Sequence, residues 1–193
     1  MNHKLNLAVV IGSDREGRLA PTVANWFTEQ ANQHNAFNID VIDLAEIGLP
    51  QALVGDVSKI PQSVHSYTER IGKADAFTFV VPEYNRSFTP VTKSAIDWVH
   101  AEWKTKPVSF VSYGGISGGL RAVEQLRLVF AELDATTIRD SVSFHSIWEC
   151  FDSQGEVIDA VSKNKAANYL LDQLLWWAQA LHNHRATHPY KSG

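Results

Sequence analysis

An α/β doubly wound fold built on one parallel sheet is the architecture this sequence predicts. Three observations carry it. Strand-like and helix-like segments alternate along the chain. The strand-like segments are mostly continuous apolar runs. Three of them end in polar, glycine-bearing or turn-forming loops. Alternation of this kind sets strands in parallel, joined by right-handed crossovers, with helices on both faces. Strands covered on both faces lose the in-out alternation of a half-exposed sheet. The 193 residues are read as a single domain, 1–193.

The elements follow in order. LNLAVVI (5–11) reads as a buried strand. After GSDREGR, a helix carries Val23, Trp26, Phe27 and Ala31 on one face. FNIDVIDL (37–44) is the second strand, with partial alternation. Residues 45–61 contain Gly48, Pro50, Gly55 and Pro61 and read as a long loop. Val64, Tyr67 and Ile71 mark a short helix, and AFTFVV (76–81) is the third strand. PEYNRS leads to a helix marked by Ala95, Ile96 and Val99. PVSFVSY (107–113) is the fourth strand, opened by a proline that gives up no needed donor there. GGISGG precedes a helical stripe of Val123, Leu126, Phe130 and Leu133. TTIRDSVSF (136–144) is the fifth strand, and a last helix spans about 161–182. Five strands fit the flavodoxin-like order 2-1-3-4-5.

Composition excludes several classes. A net charge of -4 gives no polybasic surface for nucleic acid or an anionic membrane. No apolar run reaches the ~20 residues of a membrane span. The N-terminal stretch lacks the pattern of a signal peptide. One cysteine, Cys150, rules out a disulfide within the chain, and a cytoplasmic protein is expected.

In the 2-1-3-4-5 order, strands 1, 3 and 4 are neighbours, and their exit loops share the carboxyl edge. Doubly wound folds bind ligands there, at the switch point. GSDREGR offers backbone N–H groups, a helix N-terminus, the Ser13 hydroxyl and the guanidinium groups of Arg15 and Arg18. That set suits a phosphate. Gly12 and Gly17 have Walker A spacing, but Arg18 and Leu19 stand where Lys and Ser/Thr would be, and no GxGxxG is present. PEYNRSFTP offers backbone amides, Tyr84 and Asn85 to a planar polar ligand. GGISGG permits close backbone approach. Taken singly, each loop is equally a turn, a capped connection or a flexible link. Together they suggest a phosphorylated planar ligand, and a flavin mononucleotide (FMN) fits.

Other features carry less. His182, His184 and His188 in HNHRATH lie at a fraying C-terminus, and no metal site is expected from them. Cys150 is read as an inert thiol, and Asp97 as a surface or locally bonded residue. Trp176 and Trp177 are read as core or interface residues. Trp98 and Trp103 are read as core, with a possible part in shaping a pocket.

VVIGSDREGR, VVPEYNRSFTPVTKSAIDW and VSYGGISGGLRAVEQLRLVF resemble, in that order, the NAD(P)H-dependent FMN reductases, a family that includes quinone, azo-dye and chromate reductases. The resemblance covers about residues 5–145. It implies noncovalent FMN, with NADPH or NADH as hydride donor and a quinone, free flavin, azo compound or metal oxyanion as acceptor. It also implies a homodimer or tetramer. Ser13, Arg15 and Arg18 would cradle the phosphate. Pro82, Glu83, Tyr84 and Asn85 would line the ring, and Tyr113, Gly114 and Gly115 would approach its pyrimidine side. No side chain is expected to serve as an obligatory acid or base, because the cofactor carries the chemistry. Arg86, Thr89–Pro90 and Ser94 depart from the family pattern, which bears on pocket shape and substrate choice. The alternatives are a non-enzymatic electron carrier or redox-responsive flavoprotein, and a phosphate-ligand module without flavin.

Overall fold

The computed structural model describes residues 4–190. Five strands, β1 (Leu5–Ile11), β2 (Phe37–Asp43), β3 (Ala76–Pro82), β4 (Pro107–Tyr113) and β5 (Thr136–Phe144), form one sheet. Its order is β2-β1-β3-β4-β5, and every pairing is parallel. This is the order expected from the alternation of elements. Six helices connect or follow the strands: α1 (Ala20–His34), α2 (Leu44–Ile47), α3 (Gln62–Lys73), α4 (Pro90–Asp97), α5 (Leu120–Glu132) and α6 (Ala160–Thr187).

Alternate residues of each central strand feed two cores. Leu7, Val9, Ile11, Val80 and Val111 pack with α1 and α6. Ala8, Val10, Phe77, Phe79 and Phe110 pack with α3, α4 and α5. β3 and β4 are buried at every position, so they read as largely apolar runs, and their buried hydroxyls Thr78 and Ser109 pair with each other at 2.8 Å. Trp103 is fully buried among Phe77, Phe79 and Phe130. It is therefore core, not pocket.

The structure departs from the sequence reading in four places. The loop over 45–61 begins with the short helix α2, capped by Asp43, and contains a 3-10 turn at Val57–Lys59. The α4 and α5 stripes overrun their helices, since Val99 and Leu133 lie just past the ends. The last helix continues to Thr187, so His182 and His184 are helical. Finally, of the two α6 tryptophans read as core or interface, only Trp177 packs against the core. Leu170, Leu171 and Leu174 are buried against the chain's own sheet and α1, Leu175 and Trp177 pack beside them, and Trp176 stays exposed.

The end of α6 reaches the amino edge of the sheet and holds it. His182 Nδ1 meets Asp75 Oδ1 at 2.8 Å, and Asp75 Oδ2 accepts the Asn6 N–H at 2.9 Å. Beside this pair, Lys106 is buried under its own strand. Its ammonium donates to the carbonyls of Ile71 (3.1 Å) and Gly72 (3.0 Å), near the end of α3. A cation there answers unpaired carbonyls. Burial, with the charge of Arg185 adding to it, lowers the Lys106 ammonium from 10.5 to about 8.

The sign of the consequence is fixed. Between those two values the unfolded chain binds this proton and the folded chain sheds it, so the group's contribution to stability rises with pH across that window. We expect the urea midpoint of the wild type to gain on that of Lys106→Met between about pH 7 and about pH 9.5. A midpoint difference that stays constant over the range would contradict this.

Candidate functional site

The first loop leaves β1 at Gly12 and is anchored at once. The Gly12 N–H donates to the Val80 carbonyl at 2.9 Å. The Gly12 carbonyl accepts from the buried hydroxyls of Thr89 (2.8 Å) and Thr92 (3.2 Å). Thr89 also caps the N-terminus of α4. A Cβ on Gly12 would come within 2.9 Å of Val81 Cγ1, so glycine is required there. Thr89 thus ties the first loop to the second.

Ser13 is buried, and its hydroxyl bonds the Tyr113 phenol. Arg18 forks onto Asp43, at 2.6 and 2.7 Å, and also donates to the Ser13 carbonyl at 2.6 Å. Its fork is therefore already engaged. Arg15 is exposed; its carbonyl accepts from the Arg18 N–H at 3.2 Å, but its guanidinium has no hydrogen bond or ion pair among the described residues. The backbone N–H groups of residues 13–17 likewise have no partner within the described chain. Gly17 adopts a left-handed φ of +65°, with open space where a side chain would be. A run of unpaired donors at a helix entrance, under one free cation, suits an anion.

The second loop is a tight turn. Tyr84 and Ser87 exchange backbone bonds of 2.7 and 2.9 Å. Asn85 and Arg86 between them take left-handed φ values of 48° and 71°. Two positive-φ residues inside a two-residue turn are the mark of type I′. Asn tolerates that geometry, whereas Arg86 is held in it against its preference. Gln125 of α5 does the holding. Its amide donates to the Arg86 carbonyl at 2.8 Å and accepts from the Ser87 hydroxyl at 2.6 Å. Asn85 therefore serves as a turn residue at the tip and is not among the residues lining the cleft.

Glu83 links this turn to the third loop. Its side chain is 8 % exposed, and its carboxylate accepts from the Arg121 N–H and guanidinium, each at 3.2 Å. Burial acts to raise its pKa. The Ser117 hydroxyl and the two Arg121 donors outweigh that and hold it below the ordinary carboxylate value. Glu83 is therefore an ionised strut.

The third loop is pinned, not flexible. Gly118 and Gly119 have φ of +59° and +84°, and a Cβ on Gly119 would meet Ser112 Cβ at 2.7 Å. Ser112 and Ser143 both donate to the Gly118 carbonyl at 2.8 Å. The N–H groups of Gly115, Ile116 and Ser117 remain without partners among the described residues. Burial raises the pKa of the Tyr113 phenol, so it stays neutral.

These exits enclose a cleft of about 360 Å³. Ser13, Arg15, Arg18, Pro82, Glu83, Tyr84, Tyr113, Gly114 and Gly115 all line it, together with Gly17 and Leu19. The sequence reading missed a fourth wall, Ile147 and Trp148, from the exit of β5. The Ile147 N–H donates to the Gly114 carbonyl at 3.0 Å, which fixes that wall to the third loop. The strand order itself carried the signal, since β5 neighbours β4 and its exit shares their edge. Cys150 follows this wall, and its thiol donates to the His145 carbonyl at 3.1 Å. Burial pushes that thiol up, away from a reactive thiolate. Asp97 pairs with Lys93, and the Trp98 indole N–H donates to the Pro50 carbonyl at 2.8 Å. Among the described residues, no cluster of three or more His, Cys, Asp or Glu is placed to hold a metal ion.

The profile of the NADPH-dependent FMN reductase family matches residues 5–149. An NAD(P)H-dependent FMN reductase of Schizosaccharomyces pombe is 35% identical over 121 residues, covering 58% of this chain and 60% of that protein. A probable NADPH:quinone oxidoreductase of Oryza sativa subsp. japonica is 31% identical over 174 residues, 86% of each chain. A solved flavoenzyme NAD(P)H:(acceptor) oxidoreductase from Paracoccus denitrificans superposes with a TM-score of 0.73 at 25% identity, over 91% of this chain and 98% of that one. The profile spans all four walls of the cleft, and the chain belongs to the NADPH-dependent FMN reductase family.

Proposed function

We propose that this protein is an FMN-dependent NAD(P)H oxidoreductase that reduces a small-molecule acceptor such as a quinone. The observation that carries the reading is the run of unpaired N–H donors at residues 13–17 beneath the free guanidinium of Arg15. That donor set fits a phosphate monoester at one end of a cleft whose other walls are backbone-rich. Bound FMN supplies the hydride-accepting and electron-passing chemistry.

The chain's own residues bind and orient. Arg15 and the first-loop amides hold the phosphate. Pro82, Glu83 and Tyr84 form one side of the ring site, and Tyr113, Gly114 and Gly115 the other. The free N–H groups of Gly115, Ile116 and Ser117 are positioned on the loop that borders the site, where they would stabilise negative charge as an oxyanion hole does. Glu83, held ionised, and Tyr113, held neutral by burial, are ill suited to move protons. Asp43 neutralises Arg18, whose part is to brace the first loop. The cytoplasmic location rests on the single thiol of Cys150. No helix among the described residues is long and apolar enough to cross a membrane. A homodimer or tetramer also belongs to the proposal, supported by the exposed Trp176 and Tyr169 of α6, at 63% and 53% exposure.

Titration with FMN and riboflavin tests the reading. The purified protein is expected to bind FMN; a colourless protein with no calorimetric response to FMN would overturn it. Charge-assisted bonds to phosphate are worth about 1.5–3 kcal/mol each. Arg15→Ala should therefore weaken FMN roughly ten- to a hundredfold and leave riboflavin, which lacks the phosphate, nearly unchanged. Arg18→Ala should weaken both flavins together, because it frees the loop from Asp43. Equal losses for Arg15→Ala would put the phosphate elsewhere.

Donor and acceptor should take turns on the open side of the cleft. Initial rates at several fixed acceptor concentrations should then give parallel double-reciprocal lines. Intersecting lines would require both ligands at once. FMN binding without NAD(P)H oxidation would favour an electron carrier instead. Light scattering should report at least twice the 21.5 kDa chain mass, and a monomer at micromolar concentration would refute the assembly.

A further inference from the structure

We propose that Trp148 selects the oxidising substrate of this site, favouring planar, uncharged aromatic acceptors of the quinone class over small anions. The inference rests on the oxidoreductase reading and adds the residue that sets the preference among acceptors. Trp148 stands on the wall supplied by β5, outside every motif that marks the cofactor loops. It lines the cleft, yet it is 66% exposed. It has no ring partner among the described residues, unlike the buried Trp26 and Trp103. The indole N–H makes no hydrogen bond there either. A large aromatic surface is thus left open at the mouth of a binding cleft.

Its position is fixed from below. Ser146 and Ile147 donate to the Gly115 and Gly114 carbonyls at 2.9 and 3.0 Å. The Trp148 ring lies beside Gly115, 3.5 Å from where a Cβ on that glycine would be. Absence of a side chain at 115 leaves that approach clear. Leu19, which also lines the cleft, adds apolar surface at 39% exposure, and Ile116, next in the chain to the lining Gly115, is 88% exposed. Apolar surface open at a cleft rewards a ligand that is itself flat and apolar. A small hydrated anion gains nothing from it and loses hydration beside it.

The test uses the FMN-loaded enzyme with two acceptors, 2-methyl-1,4-naphthoquinone and ferricyanide. Trp148→Ala should raise the naphthoquinone KM relative to the ferricyanide KM by roughly three- to tenfold, and Trp148→Phe should keep most of the preference. Binding is read separately, without turnover, from quenching of tryptophan emission by the naphthoquinone in the absence of NAD(P)H. Trp148→Phe should remove a quenching component that survives in Trp176→Phe, whose indole is exposed on α6 outside the cleft. An unchanged KM ratio in Trp148→Ala, or identical quenching in both phenylalanine variants, would overturn the proposal. Failure to bind FMN or oxidise NAD(P)H at all would instead sink the oxidoreductase reading, so the two failures are distinguishable.

Discussion

The Gly12 carbonyl is the point on which the site depends. Two buried threonine hydroxyls, from Thr89 and Thr92, grip it, and its own N–H is tied to β3. One backbone unit therefore fixes where the first loop starts, where α4 starts, and how far apart the first two loops stand. Any side chain at position 12 would push into Val81 and Thr92. A buried hydroxyl cluster of this kind is favourable only when every member is satisfied, and here each has a partner. The rest of the cleft builds outward from it.

The remaining loops are held by similar cross-links. Glu83 ties the second loop to the start of α5, and Gln125 ties the turn itself to the same helix. Ser112 and Ser143 clamp the third loop from two strands. Polar residues at the carboxyl edge are thus divided between two tasks. Most brace the backbone. A few, chiefly Arg15 and the unpaired N–H groups, are left open to a ligand. Rigid backbone with free donors is the condition for binding a cofactor without first ordering the site, which would cost affinity.

The two edges of the sheet contrast. At the amino edge, Lys106, Asp75 and His182 bind the ends of helices and strands to one another. Those groups serve stability, and burial lowers the proton affinity of Lys106. At the carboxyl edge, Glu83 and the Arg18–Asp43 pair brace the loops, and the guanidinium of Arg15 is left exposed. A doubly wound sheet separates the tasks in this way because strand exits converge only at one edge.

Most of the fold was legible in the sequence. Largely apolar runs located the three central strands, because burial on both faces leaves little room for polar alternation, while the edge strands β2 and β5 showed as partly alternating segments. The glycines, Ser13 and Arg15 marked the edge where the cleft lies, since unusual backbone and donor demands show up as residue types. Tertiary structure alone decided the rest. Arg18 and Arg15 look alike in GSDREGR, and only the position of Asp43, 25 residues further on, separates a brace from a free cation. Asn85 looked like a ligand contact, but pairing of Tyr84 with Ser87 made it a turn residue. Trp148 carried no motif; the expected strand order put the exit of β5 at the same edge, but only the fold of the segment after β5 brought this side chain to the cleft. Trp176 and Trp177 look alike in sequence, and only the packing of α6 on the sheet brings Trp177 against the core and leaves Trp176 exposed. Local sequence records what a residue can do, whereas partners far apart in the chain determine which of those things it does.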